Sequence, residues 1–206
     1  MKKGILLTLA ALIIALASAC ANQPELADGQ TFSEARGAFE TKLTTQTTND
    51  YDIPAPPQGV FDLIHYESNV GDLAAYISSD PKDGQKHPLI IWIIGGWGNS
   101  ISALPWSYPD WDNDQTASAF REAGILMMYP SFRGGNGNPG YQETMYGEID
   151  DIVSAYEYAV SLPYVDPDRV YLGGHFRETA DRLGQKLVVI RLIITRRKRQ
   201  AAESPR

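Results

Sequence analysis

Residues 164–178 read YVDPDRVYLGGHFRE, and the reading of the whole chain turns on them. Pro163, Asp166, Pro167 and Asp168 form a turn that leads into a short β-type run, Arg169-Val170-Tyr171-Leu172, ending at Gly173-Gly174-His175. A strand entering a glycine turn is the approach to a nucleophile elbow, G-x-S-x-G, in which a sharp turn lifts a serine hydroxyl clear of the sheet. The serine's position, two residues after Gly174, holds Phe176, and the second glycine's position holds Glu178. The approach to an elbow is present and its nucleophile is not.

Upstream, the pattern alternates strand and helix. Residues 89–94 (LIIWII) and 125–129 (ILMMY) are continuous apolar runs, the form a strand takes when it is buried on both faces of a sheet. The first run ends in GGWGNS (95–100) and the second leads through PSFR into the glycine loop GGNGNPG (134–140). That loop has neither the Gly-Lys-Ser/Thr of a phosphate loop nor a dinucleotide fingerprint, so no cofactor is implied. Ile149, Ile152, Val153, Tyr156, Ala159 and Val160 predict a helix over 148–162 with one apolar face. A second helix is expected over 115–123, capped by Asp112 or Asp114 and ended by Gly124. Residues 60–66 and 73–78 flank Asn69-Val70-Gly71-Asp72 and predict an antiparallel hairpin. His65 is expected as a partly buried strand residue in that hairpin and His87 as a solvated loop residue. Asp110, Asp112 and Asp114 resemble the start of a calcium loop, but Gln115 and Arg121 stand where its glycine and glutamate belong, so no metal is expected. Strand and helix in alternation give an α/β chain.

Four stretches together carry a resemblance: PLIIWIIGGWGNS, YPSFRGGNGNPGY, GEIDDIVSAYEYAV and VDPDRVYLGGH. In that order and spacing they resemble the catalytic domain of the prolyl-oligopeptidase-like branch of the α/β-hydrolases, near dienelactone hydrolases and acylaminoacyl peptidases. The resemblance implies an incomplete α/β-hydrolase fold, the N-terminal half of a mostly parallel sheet with flanking helices. It implies acyl transfer on a peptide or ester substrate in intact relatives, by a serine, a histidine and an acid, with backbone N–H groups holding the oxyanion. Gly95, Gly96 and Trp97 match the oxyanion loop, with Ile94 at the position of its usual histidine. Arg133 and Gly134 match a Tyr-Arg-Gly loop beneath the active site. Phe176 stands in the serine's place, so the resemblance supplies no catalytic residue here.

Charge changes at the same point. Up to Phe176 there are nine basic and twenty-two acidic residues, and beyond it nine basic and three acidic. The acidic body disfavours nucleic acid as a partner. Residues 177–206 are an atypical basic tail in which residues 187–194 form an apolar run and no histidine occurs. A shift of coding frame or a truncation near His175 accounts for the sudden loss of resemblance. The alternatives are a genuine basic module and a divergent, non-catalytic relative. With the sheet cut short, the edge of the elbow strand is expected to lack its cover, unless the apolar run 187–194 pairs there; that run is also an aggregation hazard.

Residues 1–19 form a signal segment, with Lys2-Lys3 followed by an apolar run, ILLTLAALIIALASA. Fifteen such residues span about 22 Å as a helix, short of the ~30 Å hydrocarbon core. Ala17-Ser18-Ala19 suits ordinary cleavage, while the sole cysteine, Cys20, directly after it favours a bacterial lipoprotein signal with Cys20 lipidated. The expected organisation is a signal peptide (1–19), a polar tether (20–59) with a short helix near 32–43, a partial hydrolase domain (60–176) and the tail (177–206). The expected location is the periplasm or cell envelope, held to the membrane through Cys20. Two functions follow: an exported serine hydrolase family member that is inactive, or a binding or scaffolding lipoprotein built on a hydrolase-like half-domain.

Overall fold

A computed structural model describes residues 42–95, 98–107, 115–176 and 186–191. The chain divides into two compact units, Met1–Thr44 and Thr45–Arg206, and every element below belongs to the second. Cys20 and the helix expected near 32–43 lie outside the described residues, as do Asp110, Asp112 and Asp114.

The described elements are β1 (Phe61–Ser68), β2 (Gly71–Ser78), β3 (His87–Ile93), a 3₁₀ turn (Leu104–Trp106), α1 (Ser118–Glu122), β4 (Leu126–Pro130), α2 (Glu148–Ser161), β5 (Val165–Phe176) and β6 (Lys186–Arg191). They build one six-stranded sheet in the order β1-β2-β4-β3-β5-β6. The expected α/β architecture is present. The sheet is mixed, with β3 parallel to β4 and to β5, and antiparallel pairing at β1–β2, β2–β4 and β5–β6.

Strand alternation sorts the apolar residues into two layers. Leu73, Ala75, Ile77, Leu89, Ile91, Leu126 and Met128 face α2, where Ala155, Tyr156 and Ala159 meet them. Their neighbours Ala74, Tyr76, Ile90, Trp92, Met127 and Tyr129 face the other way, against Phe61, Ile101, Ala117 and Phe120 of α1. Both faces of β3 and β4 are therefore buried, as their continuous apolar runs predicted. Aromatic edges close the second layer, with Phe61 on Tyr129 at 5.5 Å and Tyr76 on Trp106 at 4.8 Å between ring centroids.

Several expectations are corrected. The helix expected over 115–123 is shorter, because Ala117 sits in the left-handed region and α1 starts only at Ser118, whose N–H meets Thr116 Oγ1. Gly124 (φ +80°) ends it as expected. The buried face of α2 is rotated from the expected one: Glu148, Asp151, Ile152, Ala155, Tyr156 and Ala159 are buried, and Val153 is exposed. His65 is exposed rather than partly buried, and His87 opens β3 with its Nε2 3.1 Å from both Asp83 oxygens. The tether is shorter than residues 20–59, since Asn49, Tyr51 and Pro54 hydrogen-bond to the domain.

The largest correction concerns β5. It does not stop at Gly173–His175 but continues through Phe176, and residues 171–176 pair antiparallel with 191–186 of β6. The edge expected to be open is covered. Asp166–Arg169 fall where the β3–β5 register shifts, between the pairs His87↔Val165 and Leu89↔Val170, which accommodates Pro167 inside the strand.

Two measurements test this core. Ile91, fully buried between β4 and β5, loses about 2–5 kcal/mol of unfolding free energy when replaced by alanine, read from urea titrations. Burial pushes the Tyr76 hydroxyl up to about 12, and that hydroxyl donates to Pro54 O at 2.7 Å. Its folded value exceeds the ordinary value of about 10, so its contribution is complete below pH 10 and fades as pH rises from 10 towards 12. Urea midpoints at pH 9 and pH 11 should separate, and Tyr76→Phe should narrow the difference.

Candidate functional site

In open α/β sheets ligands bind outside the carboxyl ends of the parallel strands. Here that edge comprises the exits of β3 at Gly95, of β4 at Ser131 and of β5 at Phe176. Of the expected oxyanion loop, Gly95 lies two residues beyond the end of β3 at Ile93, while Gly96 and Trp97 lie outside the described residues.

Arg133, 4% exposed, dominates what is described of this edge. Its Nη2 and Nε donate to Asp151 Oδ1 at 2.8 and 3.2 Å, and its backbone N–H donates to Asp151 Oδ2 at 2.9 Å. Nη1 reaches Glu143 Oε1 and Nη2 reaches Asn69 Oδ1, both at 2.9 Å. Burial alone would push the Arg133 pKa down, but the hydrogen bonds and charges of Asp151 and then Glu143 outweigh it and hold it above the ordinary value. Burial, then the charge on Asp151, pushes the neighbouring Tyr66 hydroxyl well up as well, and that hydroxyl donates to Ser131 O. A Cβ on Gly147 would overlap the Arg133 guanidinium, so the residue before α2 must be glycine. The match of Arg133 to a buried loop arginine is thus realised as a structural clamp.

A second carboxylate ties the β3 exit into the same cluster. Glu148, 1% exposed, accepts through Oε1 from Asn99 Nδ2 and from Glu143 N–H, both at 2.8 Å. Asn99 Nδ2 also donates to Arg133 O at 2.7 Å, and Asn99 O accepts from Phe132 N–H at 2.8 Å. Asn99, Glu148 and Asp151 were not singled out in the sequence. The signal was present: 148 and 151 fall on the same stripe as Ile152 and Ala155, so two carboxylates lie on a buried face and call for a cation and donors.

The chemistry available follows from these bonds. Ser131 is fully buried, its Oγ 2.8 Å from Asn136 Oδ1 and 2.9 Å from Asn99 O, and it accepts from Asn138 Nδ2. It is a scaffold hydroxyl. Neither of the two histidines with described side chains is hydrogen-bonded to a serine: His65 is exposed on β1, and His87 is at the entry of β3, the opposite end from the carboxyl edge. His87 does face an acid, whose carboxyl is held below its ordinary value by the Gln85 N–H and then by His87, but no nucleophile accompanies the pair. Position 176 is a strand residue paired with Lys186, not the apex of a turn.

Removing one partner of the Arg133 clamp strands a buried charge. Asp151→Ala is expected to cost about 3–5 kcal/mol. Replacing both, Arg133→Met with Asp151→Leu, should cost less than the sum of the two single changes. A double-mutant cycle from urea unfolding checks this, and additive losses would show that the pair is not coupled.

No family model matches the chain, and no curated protein matches it. Among solved structures it is similar to an α/β serine hydrolase without a lid from Xanthomonas campestris, at 20% identity and a TM-score of 0.41, over 59% of this chain and 52% of that one. A putative dipeptidyl aminopeptidase IV from Bacteroides ovatus is 22% identical with a TM-score of 0.40, over 55% and 17%. An esterase from Pyrobaculum calidifontis is 14% identical with a TM-score of 0.38, over 57% and 36%. The chain thus spans about a third of the length of that esterase. From β1 to β5, its own strand order and directions are those of a partial α/β-hydrolase sheet, and β6 completes the edge in the antiparallel sense.

Proposed function

We propose that this chain is a member of the exported serine hydrolases, of peptidase or esterase type, that does not itself cleave esters or peptides. The observation that carries the reading is at position 176: the residue is phenylalanine, and its strand runs on without a turn, paired to β6. Acyl transfer needs an activated nucleophile held at an exposed apex beside oxyanion donors. The glycine after β3 and the Arg133 clamp are retained, which supports descent from a catalytic scaffold rather than from an unrelated sheet. The second reading, a binding or scaffolding lipoprotein, is favoured by β6, which closes the edge of β5 and leaves a finished sheet with no chemistry at that position.

Export and anchoring through Cys20 belong to the same proposal and rest on the residues 1–20 pattern. Among the described residues no helix is long and apolar enough to cross a membrane.

A fluorophosphonate probe is expected to leave the purified chain unlabelled, and p-nitrophenyl acetate turnover should equal the buffer rate. A labelled serine peptide would overturn the proposal of inactivity. Phe176→Ser alone should also remain unlabelled, because His65 on β1 and His87 at the entry of β3 lie away from the carboxyl edge. In a bacterial host, radiolabelled palmitate should enter the full chain and be lost in Cys20→Ser. Equal labelling of the two would refute the anchor.

A further inference from the structure

Residues 47–51 cross the carboxyl edge as an extended segment, and their bonds repeat with the period of a strand. Asn49 exchanges two backbone hydrogen bonds with the glycine loop: its N–H donates to Gly134 O and its carbonyl accepts from Gly137 N–H, both at 2.8 Å. Two residues earlier, Thr47 O accepts from Gln142 N–H at 2.9 Å. Two residues later, Tyr51 O accepts from Asn136 Nδ2 at 3.0 Å. Alternate residues presenting their backbone to one side is how an added strand is recognised. The Asn49 side chain supplies the specificity, its Oδ1 accepting from Asn136 N–H at 2.9 Å and from Ser100 Oγ. The receiving surface is shaped for this, since a Cβ on Gly134 (φ +68°) would come within 3.0 Å of Thr47 O and 2.9 Å of Gln142 N.

The segment is held almost wholly by polar contacts. Asn49 is the one residue among 42–52 that is not exposed, and Tyr51 is 69% exposed. Each such hydrogen bond contributes modestly, because water competes for it when the segment lifts. Few buried apolar contacts and solvent-facing backbone bonds mark the low end of local stability. The β3 and β4 amides behind it belong to strands buried on both faces.

We propose that the loops at residues 99–101 and 134–142 form a binding groove for an extended peptide carrying a side-chain carboxamide, and that residues 47–51 occupy it in cis as a releasable latch. The groove joins the β3 exit, through Ser100, to the β4 exit, through residues 134–142, so its occupancy couples the two loops that border the carboxyl edge. This assignment does not depend on whether the chain hydrolyses anything.

Hydrogen exchange on the full chain tests it. The amides of Asn49, Asn136, Gly137 and Gln142 are expected to exchange together, and well before those of Ile90 and Met128. Exchange of the two sets at one rate would overturn the proposal by making the latch part of the global folding unit. In Asn49→Ala, Asn136, Gly137 and Gln142 should exchange about tenfold faster with Ile90 unchanged; unchanged loop protection would refute the role of the carboxamide. A synthetic peptide of residues 45–54, TQTTNDYDIP, added in millimolar excess to Asn49→Ala, should restore loop protection. The same peptide with alanine for asparagine should not, and failure of both peptides would refute a groove that binds in trans. Should Asn49→Ala fail to fold, the wild-type exchange order decides.

Discussion

The buried pair of Arg133 and Asp151 is the contact on which the carboxyl edge depends. A guanidinium 4% exposed and a carboxylate fully buried carry a desolvation cost that Coulomb attraction alone repays poorly. Here the cost is met by geometry: the fork of Arg133 meets both Asp151 oxygens, the Arg133 backbone N–H meets one of them, and Glu143 and Asn69 take the remaining guanidinium donors. The pair joins the first turn of α2 to the loop after β4. Its position near the N-terminus of α2 adds the helix dipole to the stabilisation of Asp151, with Glu148 and Asp150 in the same turn.

From that anchor the other contacts follow in sequence. Glu148 lies one turn before Ile152 on the buried stripe of α2 and reaches Asn99, which fixes the β3 exit against the β4 exit. Ser131, Asn136 and Asn138 then fill the space between the two loops with mutually satisfied amides and hydroxyls. A polar network of this kind is costly unless each member is paired. Apart from Glu148 Oε2, which is buried with no partner among the described residues, these groups are committed to the scaffold, and their density at a carboxyl edge is not by itself a sign of catalysis.

Much of the fold was legible because burial on both faces leaves an unmistakable pattern. The runs at 89–94 and 125–129 contain no charged residue, and they became strands buried on both faces. The hairpin was legible from Asn69-Val70-Gly71-Asp72, of which Asn69 and Val70 make the turn and Gly71 and Asp72 open β2. The orientation of α2 was not, because an apolar count places Val153 inside, whereas the Arg133 guanidinium holds Asp151 there and Asn99 holds Glu148. The latch at residues 47–51 was not legible either. Its threonines and asparagine read as a solvated tether, and only the tertiary match to Gly134, Asn136 and Gly137 turns the same polarity into binding. The candidate site was legible as a location and as a missing serine, but its Asn99–Glu148 tie was hidden in residue types that usually face water.

The elbow stretch itself illustrates a competition between two backbone solutions. An elbow requires the chain to leave the sheet at the second glycine and enter a helix, giving up ladder bonds in exchange for helical ones and the exposed apex. A neighbouring antiparallel strand offers the opposite exchange: each residue from Tyr171 to Phe176 gains a partner between Arg191 and Lys186. A phenylalanine at this position suits the second outcome, because aromatic residues are favoured in strands. Gly173 favours it too, since its missing side chain leaves room for Trp92, whose ring atoms would stand 3.0 and 3.1 Å from a Cβ there. The backbone up to position 176 is therefore committed to the ladder with β6 and not to a turn at that residue.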